Sequence, residues 1–443
     1  MTTTTAALDR QALSDWHEKN RARTRRLFDA VRPEAYRERP IPLRNPIVFY
    51  EGHLPAFAVN TLLKRGLGDP GIREDFERLF ERGIDPEDEA AMAPGVSAWP
   101  KREEIQVYAQ EADRRIFDAL ARRDIAREDS PMLANSLAAF TILEHEAMHQ
   151  ETLLYMWSRL PYEQKVTPPD AAAPVVGAAP PRRERVAVPA GRARLGADPG
   201  GIPFGWDNEF PSLAVEVPAF DIDAHNVTNA EFMDFVLAGG YQMPELWSEE
   251  GRAYLESQRA VHPPFWERSG EHWLWRAQWA ALPLPPAWPV WVTHAEAEAY
   301  AAWQGRTLPS EAQYHRAAFG TPSGRDRVYP WGEEAPDETR GNFDFAFDDP
   351  VPAGSKPAGA SAWGVHDLMG NGWEWTSTIF APFPGFAPMP TYPQYSADFF
   401  DGKHWVMKGA SPSTARELLR PSFRNWFRGN YPYVFASFRT VSR

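Results

Sequence analysis

The chain has 443 residues, 43% of them hydrophobic, which is enough for two domains with separate cores. Its 47 basic and 60 acidic residues leave a formal net charge of -13, which repels a polyanion such as nucleic acid, and no long Lys/Arg run offsets that field. Cysteine is absent, which excludes disulfides and thiolate chemistry. The first residues lack a basic stretch followed by an apolar run, so no signal peptide is expected. No later segment reaches the roughly 18 apolar residues of a membrane span, and the expected location is the cytoplasm.

In chain order, residues 10–31 place Leu13, Trp16, Arg23, Leu27 and Val31 at helical intervals. Residues 55–65, 72–82, 102–123 and 133–160 carry similar spacing, which predicts a helical bundle over residues 1–165. Residues 166–184, rich in Pro and Ala and without a period, read as a linker. From 185 to 443 the texture changes to short β-like runs, long Gly/Pro/Trp loops and two short helices near 228–237 and 294–304. The expected fold of this second part is α+β with much irregular structure.

The sharpest local signal is His145-Glu146-Ala147-Met148-His149. Two histidines at i and i+4 share one helix face, so both imidazoles can meet one ion. The bland alternative is a pair of hydrogen-bonded histidines inside a bundle. A zinc-protease reading, with Glu146 as general base, needs a downstream ligand, and Glu163 follows too closely for the usual arrangement. An upstream third ligand is available in His53, within Phe49-Tyr50-Glu51-Gly52-His53 at the predicted start of a helix. Three neutral imidazoles favour a divalent transition metal and leave coordination positions open, but ligand type alone does not separate Fe(II) from Zn(II) or Cu(II).

With these residues in place, the chain resembles the ergothioneine-biosynthetic sulfoxide synthases and the related selenoneine synthases. The bundle, with His53 and His145-Glu146-Ala147-Met148-His149, is similar to their DinB-like domain. The second part is similar to their formylglycine-generating-enzyme-like, C-type-lectin-like domain. That similarity is carried by Trp206-Asp207-Asn208-Glu209-Phe210-Pro211, Val227-Thr228-Asn229, Gly305-Arg306-Thr307-Leu308-Pro309-Ser310-Glu311, Tyr329-Pro330-Trp331-Gly332, Gly370-Asn371-Gly372-Trp373-Glu374-Trp375-Thr376 and Phe423-Arg424-Asn425-Trp426-Phe427. Most of these runs read as core and turn chemistry, with Trp373 and Trp375 as packing residues. Formylglycine generation itself relies on cysteines, which this chain lacks.

The resemblance implies Fe(II) on the three histidines, O2 as oxidant, and a site between the two domains that joins a chalcogen atom to C2 of the hercynine imidazole. An open-coordinate redox metal is needed because that C–H bond is not acidic enough for simple acid–base attack. Asn425, Trp426 and Phe427 match the segment that holds hercynine, whose quaternary ammonium suits aromatic faces. Tyr392 and Tyr395 are the candidates for the family's active-site tyrosine, with Phe383 as an alternative occupant of that position.

Two departures bear on the donor. Met148 stands where many sulfoxide synthases have a Gln that helps position the neighbouring imidazole. Trp99 stands where many have an Arg that grips the carboxylate of cysteine or γ-glutamylcysteine, which removes a bidentate clamp. An indole face suits a sugar ring, so the pattern leans toward a selenosugar donor. Adjacent Lys101 and Arg102 would still be able to bind a carboxylate, which keeps the thiol-using alternative open. A non-catalytic ligand-binding module is the alternative from another class.

Overall fold

The computed structural model describes residues 9–81 and 99–442, so Ser97 and Ala98 of the Trp99 run and the last position of the 72–82 helix lie outside the described residues. The chain divides into two compact units, Met1–Pro168 and Pro169–Arg443, which meet within the expected linker. Residues 166–184 carry neither helix nor strand.

The first unit is a helical bundle. Helix α1 (Arg10–Asp29) starts at Asp9, whose carboxylate accepts from the Ala12 N–H at 3.0 Å, a side-chain cap for an otherwise unpaired donor. Besides Leu13, Leu27 and Phe28, it buries a polar stripe of His17, Asn20, Arg21 and Thr24. That stripe docks on α5 (Leu137–Trp157): Asn20 donates to the Leu143 carbonyl at 2.9 Å and Gln150 donates to the Asn20 carbonyl at 2.8 Å. Helix α2 (Ile47–Ala58) is buried nearly all round, as expected of a helix apolar on every face. It follows Pro46 and contains Pro55, which has no N–H to offer the carbonyl one turn back. The chain then widens into a π-helix, Val59–Leu67, closed by Gly68 at φ +74°. Helices α3 (Glu74–Leu79) and α4 (Arg102–Arg122) complete the unit, α4 burying Ile105, Tyr108, Ala112, Ile116 and Leu120 at 3–4 spacing.

One boundary differs from the sequence reading. His53 lies in the middle of α2, not at the start of a helix. Pro55 looks like a first-turn proline, but Pro46 already opens the helix, and the aperiodic run after it gives no stripe to mark the beginning.

The second unit is α+β. Strands β1 (Arg185–Val188), β4 (Phe220–Asp223) and β12 (Val441–Ser442) form one small sheet, and β2 (Gly191–Leu195) pairs with β3 (Leu213–Val217). A meander of β5 (Trp266–Ser269), β6 (His272–Arg276) and β7 (Ala281–Pro283) forms another sheet. The central sheet runs β10 (Asn425–Arg428), β9 (His404–Ala410), β8 (Gly372–Ile379) and β11 (Ala436–Ser437). Helices α6 (Asn229–Leu237) and α8 (His294–Trp303) fall where the sequence places them, each opened by a reciprocal capping box, Thr228/Glu231 and Thr293/Glu296. Helices α7 (Glu249–Gln258), α9 (Glu311–Ala318) and the one-turn α10 (Gln394–Ala397) are additions. The Gly370–Thr376 run is core, as expected: Trp373 and Trp375 are buried on β8, and Glu374 forms a fully buried ion pair with Arg439 at 2.7 Å. Asn371, at φ +72°, ties the preceding turn to both backbone groups of Val351.

Candidate metal centre and aromatic site

Helices α2 and α5 bring His53, His145 and His149 together, with one ligand nitrogen from each lying within 4.8 Å of the others. The ring centroids of His145 and His149 are 4.5 Å apart, as the i,i+4 spacing predicts, and His53 stands 5.1 Å from each. Phe57 stacks on His145 at 3.6 Å and Phe49 on His53 at 5.2 Å, both rings nearly parallel to their imidazoles. Tyr50 packs against His149 at 5.8 Å.

The electrostatics suit a metal. Burial holds His53 down at about 4, and burial holds His145 and His149 well below the usual imidazole range, with further lowering from His149 and His53 at His145 and from His53 and Arg44 at His149. All three are therefore neutral at pH 7, the form that ligates. His53 Nδ1 is 2.7 Å from the Phe80 carbonyl and donates to it, which leaves Nε2 with its lone pair bare. His53 Nε2 and His149 Nδ1 are both buried with no hydrogen-bond partner, an arrangement that a bound cation would resolve. The donor set fits a divalent transition metal, iron included.

Glu146 lies between the helical histidines in sequence but points elsewhere. Its carboxylate accepts from Arg21 at 2.7 Å and from Thr24 at 2.6 Å, both buried. A carboxylate held this way is not placed to activate a metal-bound water, so the zinc-protease reading of this motif fails here. Met148 is half-buried on α5.

Trp99 belongs to the same unit. Its half-buried indole lies parallel to Phe80 at 6.1 Å and edge-on to Phe49 at 6.4 Å, one ring removed from His53. Arg102 is already engaged. Its guanidinium contacts Glu51 at 3.0–3.1 Å through Nε and Nη2, and Nη2 reaches Asp29 at 3.0 Å. The Tyr36 hydroxyl donates to the same Glu51 carboxylate. Lys101 is exposed beside it.

In the second unit, strand β10 carries Asn425, Trp426 and Phe427 half-buried. Trp426 stacks on Phe380 at 4.3 Å, meets Tyr395 edge-on at 5.2 Å and packs against Phe399 at 5.6 Å. Phe427 stacks on Tyr431 at 4.7 Å, and Asn425 Oδ1 accepts from the Trp426 N–H at 2.8 Å. Of the tyrosine candidates, Tyr395 joins the Trp426 cluster and also stacks on Trp206 at 3.9 Å; Tyr392 lies 5.8 Å from Tyr395. Phe383 is buried elsewhere in that region, 4.2 Å beneath the Arg424 guanidinium, which is itself paired with Glu311. Ser396, next to Tyr395, donates to Asp207, whose carboxyl burial pushes up to about 6.

The sequence reading missed Phe49 and Phe57, although they stand four residues either side of His53 and so share its helix face. It also missed Arg21 and Thr24, which in sequence look like part of a basic solvated helix. The Phe80 carbonyl is a backbone group and leaves no side-chain signal.

A helical bundle carrying three clustered histidines, followed by a C-type-lectin-like unit, defines a two-domain architecture, and the comparisons with known proteins match both parts. Residues 17–153 match the DinB superfamily, and residues 172–443 match the sulfatase-modifying factor enzyme 1-like domain. The chain is 36% identical to hercynine oxygenase of Mycolicibacterium thermoresistibile over 95% of this chain and 92% of that protein. It is 34% identical to hercynine oxygenase of Mycolicibacterium smegmatis over 97% and 98%. Ergothioneine biosynthesis protein 1 of Neurospora crassa is 29% identical over 91% of this chain and 54% of its own length. The chain belongs to the ergothioneine sulfoxide synthase family.

Proposed function

We propose that this chain is a non-haem Fe(II)- and O2-dependent enzyme that forms a carbon–chalcogen bond at C2 of the hercynine imidazole. The observation that carries this reading is the set of three neutral histidines, His53 and His145 buried and His149 half-buried, whose ligand nitrogens lie within 4.8 Å of one another, in a chain of this family. Iron bound there would supply the one-electron chemistry with O2 that an unactivated C–H bond requires. In this proposal His53, His145 and His149 are the ligands. Trp426 and Phe427 offer ring faces to the trimethylammonium group, and Asn425 hydrogen-bonds the substrate. Tyr395 is the preferred proton donor, because it shares the Trp426 cluster; Tyr392 is the second candidate.

For the donor we favour a selenosugar, with Trp99 as the stacking surface and Lys101 as a nearby polar group. Engagement of Arg102 by Glu51 and Asp29 supports this, since that guanidinium is not available to replace the missing carboxylate clamp. Met148, in place of a Gln, is assigned to the substrate side of the same helix. The ergothioneine-type reading, with cysteine or γ-glutamylcysteine as donor, draws its support from the similarity to the two hercynine oxygenases.

Anaerobic reconstitution with Fe(II), followed by O2, hercynine and each donor, tests the proposal by mass spectrometry of the products. A hercynine–chalcogen adduct is expected only with iron present. Consumption of neither substrate in any combination, with iron loaded, would leave the non-catalytic binding module as the better account.

A further inference from the structure

Each residue of the turn Phe49-Tyr50-Glu51-Gly52-His53 on α2 meets a different neighbour. Phe49 stacks on His53, Tyr50 packs on His149, and Glu51 pairs with Arg102. Gly52 faces the Phe80 ring. A Cβ added at Gly52 would stand 2.5–2.6 Å from three ring carbons of Phe80, closer than any real contact. That ring has little room to yield: Phe80 is fully buried, with Phe76 at 5.6 Å, Phe49 at 6.1 Å and Trp99 at 6.1 Å around it. A displacement of the ring must therefore pass into the backbone of residue 80. The carbonyl of that residue is the group bonded to His53 Nδ1 at 2.7 Å.

We infer that Phe80 is a positioning residue for the metal centre: its carbonyl fixes the tautomer and orientation of the His53 ligand, and its ring, seated against Gly52, links that ligand to Trp99. Histidine ligands depend on such a partner for the nitrogen opposite the metal. Here the partner is a main-chain oxygen, so a side-chain substitution at residue 80 cannot delete it. Only a residue that moves the backbone can, and Gly52 is placed to control that. The side of Trp99 and the side of the metal are thereby joined through one residue, with the carbonyl toward His53 and the ring toward the indole. This inference rests on the three histidines being a metal site.

The test uses the full-length protein and Co(II) as a visible probe, titrated against a competing chelator. Wild-type protein is expected to bind Co(II) with visible bands of a histidine-rich site. Gly52→Ala is expected to weaken binding by roughly 10- to 100-fold and to alter those bands. Phe80→Ala removes the ring that the new Cβ would strike, so Gly52→Ala added to Phe80→Ala is expected to cause little further loss, a non-additivity that independent packing defects would not produce. A measurement on unmodified protein stands beside the variants. In 15N-histidine-labelled metal-free protein, the signal that disappears in His53→Gln should be that of an Nδ1-protonated ring. An Nε2-protonated His53, or a folded Gly52→Ala protein with wild-type affinity and spectrum, overturns the inference. If Gly52→Ala does not fold, the tautomer decides. Failure of wild-type protein to bind Co(II) at all would instead remove the metal-site reading itself.

Discussion

Arg21 and Glu146 form a buried ion pair at 2.7 Å across helices α1 and α5, with side chains only 7% and 8% exposed. Arg21 also reaches Asp113 on α4 at 2.7 Å, so one guanidinium ties three helices together behind the histidines. The pair holds α5 against α1 at the residue next to His145. Removing one partner of a buried pair costs about 3–5 kcal/mol when the other charge is left uncompensated. Arg21 keeps Asp113, so Glu146→Ala is expected to lower the unfolding free energy by less than that, read from denaturant melts. Glu146→Gln, which keeps an acceptor for Arg21 and Thr24, should retain metal and a substantial fraction of turnover. Loss of all turnover in a folded, fully metallated Glu146→Gln protein would revive a general-base role for this residue.

The ligand assignment has its own check. His53→Ala, His145→Ala and His149→Ala each leave two imidazoles, and the open site should then lose most of its iron after dialysis against a chelator. Elemental analysis gives the answer independently of any substrate. Near-stoichiometric iron in any one of the three, with the fold intact by circular dichroism, would remove that histidine from the site.

Trp426→Ala addresses the hercynine side. A cation–π contact contributes about 0.5–2 kcal/mol, which corresponds to a loss of roughly 2- to 30-fold in affinity. Hercynine Kd by calorimetry should rise by that amount while iron content stays constant. Trp426 also stacks on Phe380, so thermal melts accompany the measurement to show that the strand still forms. Unchanged hercynine affinity would make Trp426 a packing residue only.

The parts of this site that were legible in the sequence share one property: a regular spacing carries them. His145 and His149 follow the helix repeat, as do Leu13 and Leu27, which are buried on α1. The start of α2 was not legible, because an all-buried helix has no polar face to set its phase. Arg21, Glu146 and Gln150 were not legible as interior groups, because a charged or strongly polar group on a helix is usually solvated and only the folded partners make its burial affordable. Helix α9 was hidden for another reason: two turns, with Tyr314, Ala317 and Ala318 as its apolar contacts, are too short to show a period.

His315 gives the second unit a predictable acid response. Burial holds its imidazole down at about 3, and Nε2 donates to the Pro421 carbonyl at 2.9 Å, just ahead of β10. The unfolded chain, with a pKa near 6.5, takes up a proton that the folded protein refuses. The stabilising difference is therefore complete above about pH 6.5 and is lost progressively as pH falls toward 3, on the order of a few kcal/mol over the whole range. His315→Gln keeps a donor for Pro421 but does not titrate. Its unfolding free energy should vary less between pH 7 and pH 5 than that of the wild type, and equal slopes would show that His315 does not govern the response.

The donor is decided by competition. Cysteine and γ-glutamylcysteine carry carboxylates, and leaving one unpaired in a partly desolvated site costs several kcal/mol. At the aligned position this chain has Trp99, and the neighbouring Arg102 is held by Glu51 and Asp29. A sugar brings no carboxylate, and its C–H face can lie on the exposed part of the indole while its hydroxyls reach Lys101. With iron loaded and hercynine saturating, equal concentrations of a selenosugar and γ-glutamylcysteine should give predominantly the selenium product. Trp99→Arg should lower kcat/KM for the selenosugar and raise it for the thiol. Because Trp99 also touches Phe80 and Phe49, iron content of the variant is measured alongside, so that a change in donor preference is separated from a change at His53. Preferential use of the thiol by the wild type, or unchanged selenosugar turnover in metallated Trp99→Arg, would assign this chain to sulfur transfer instead.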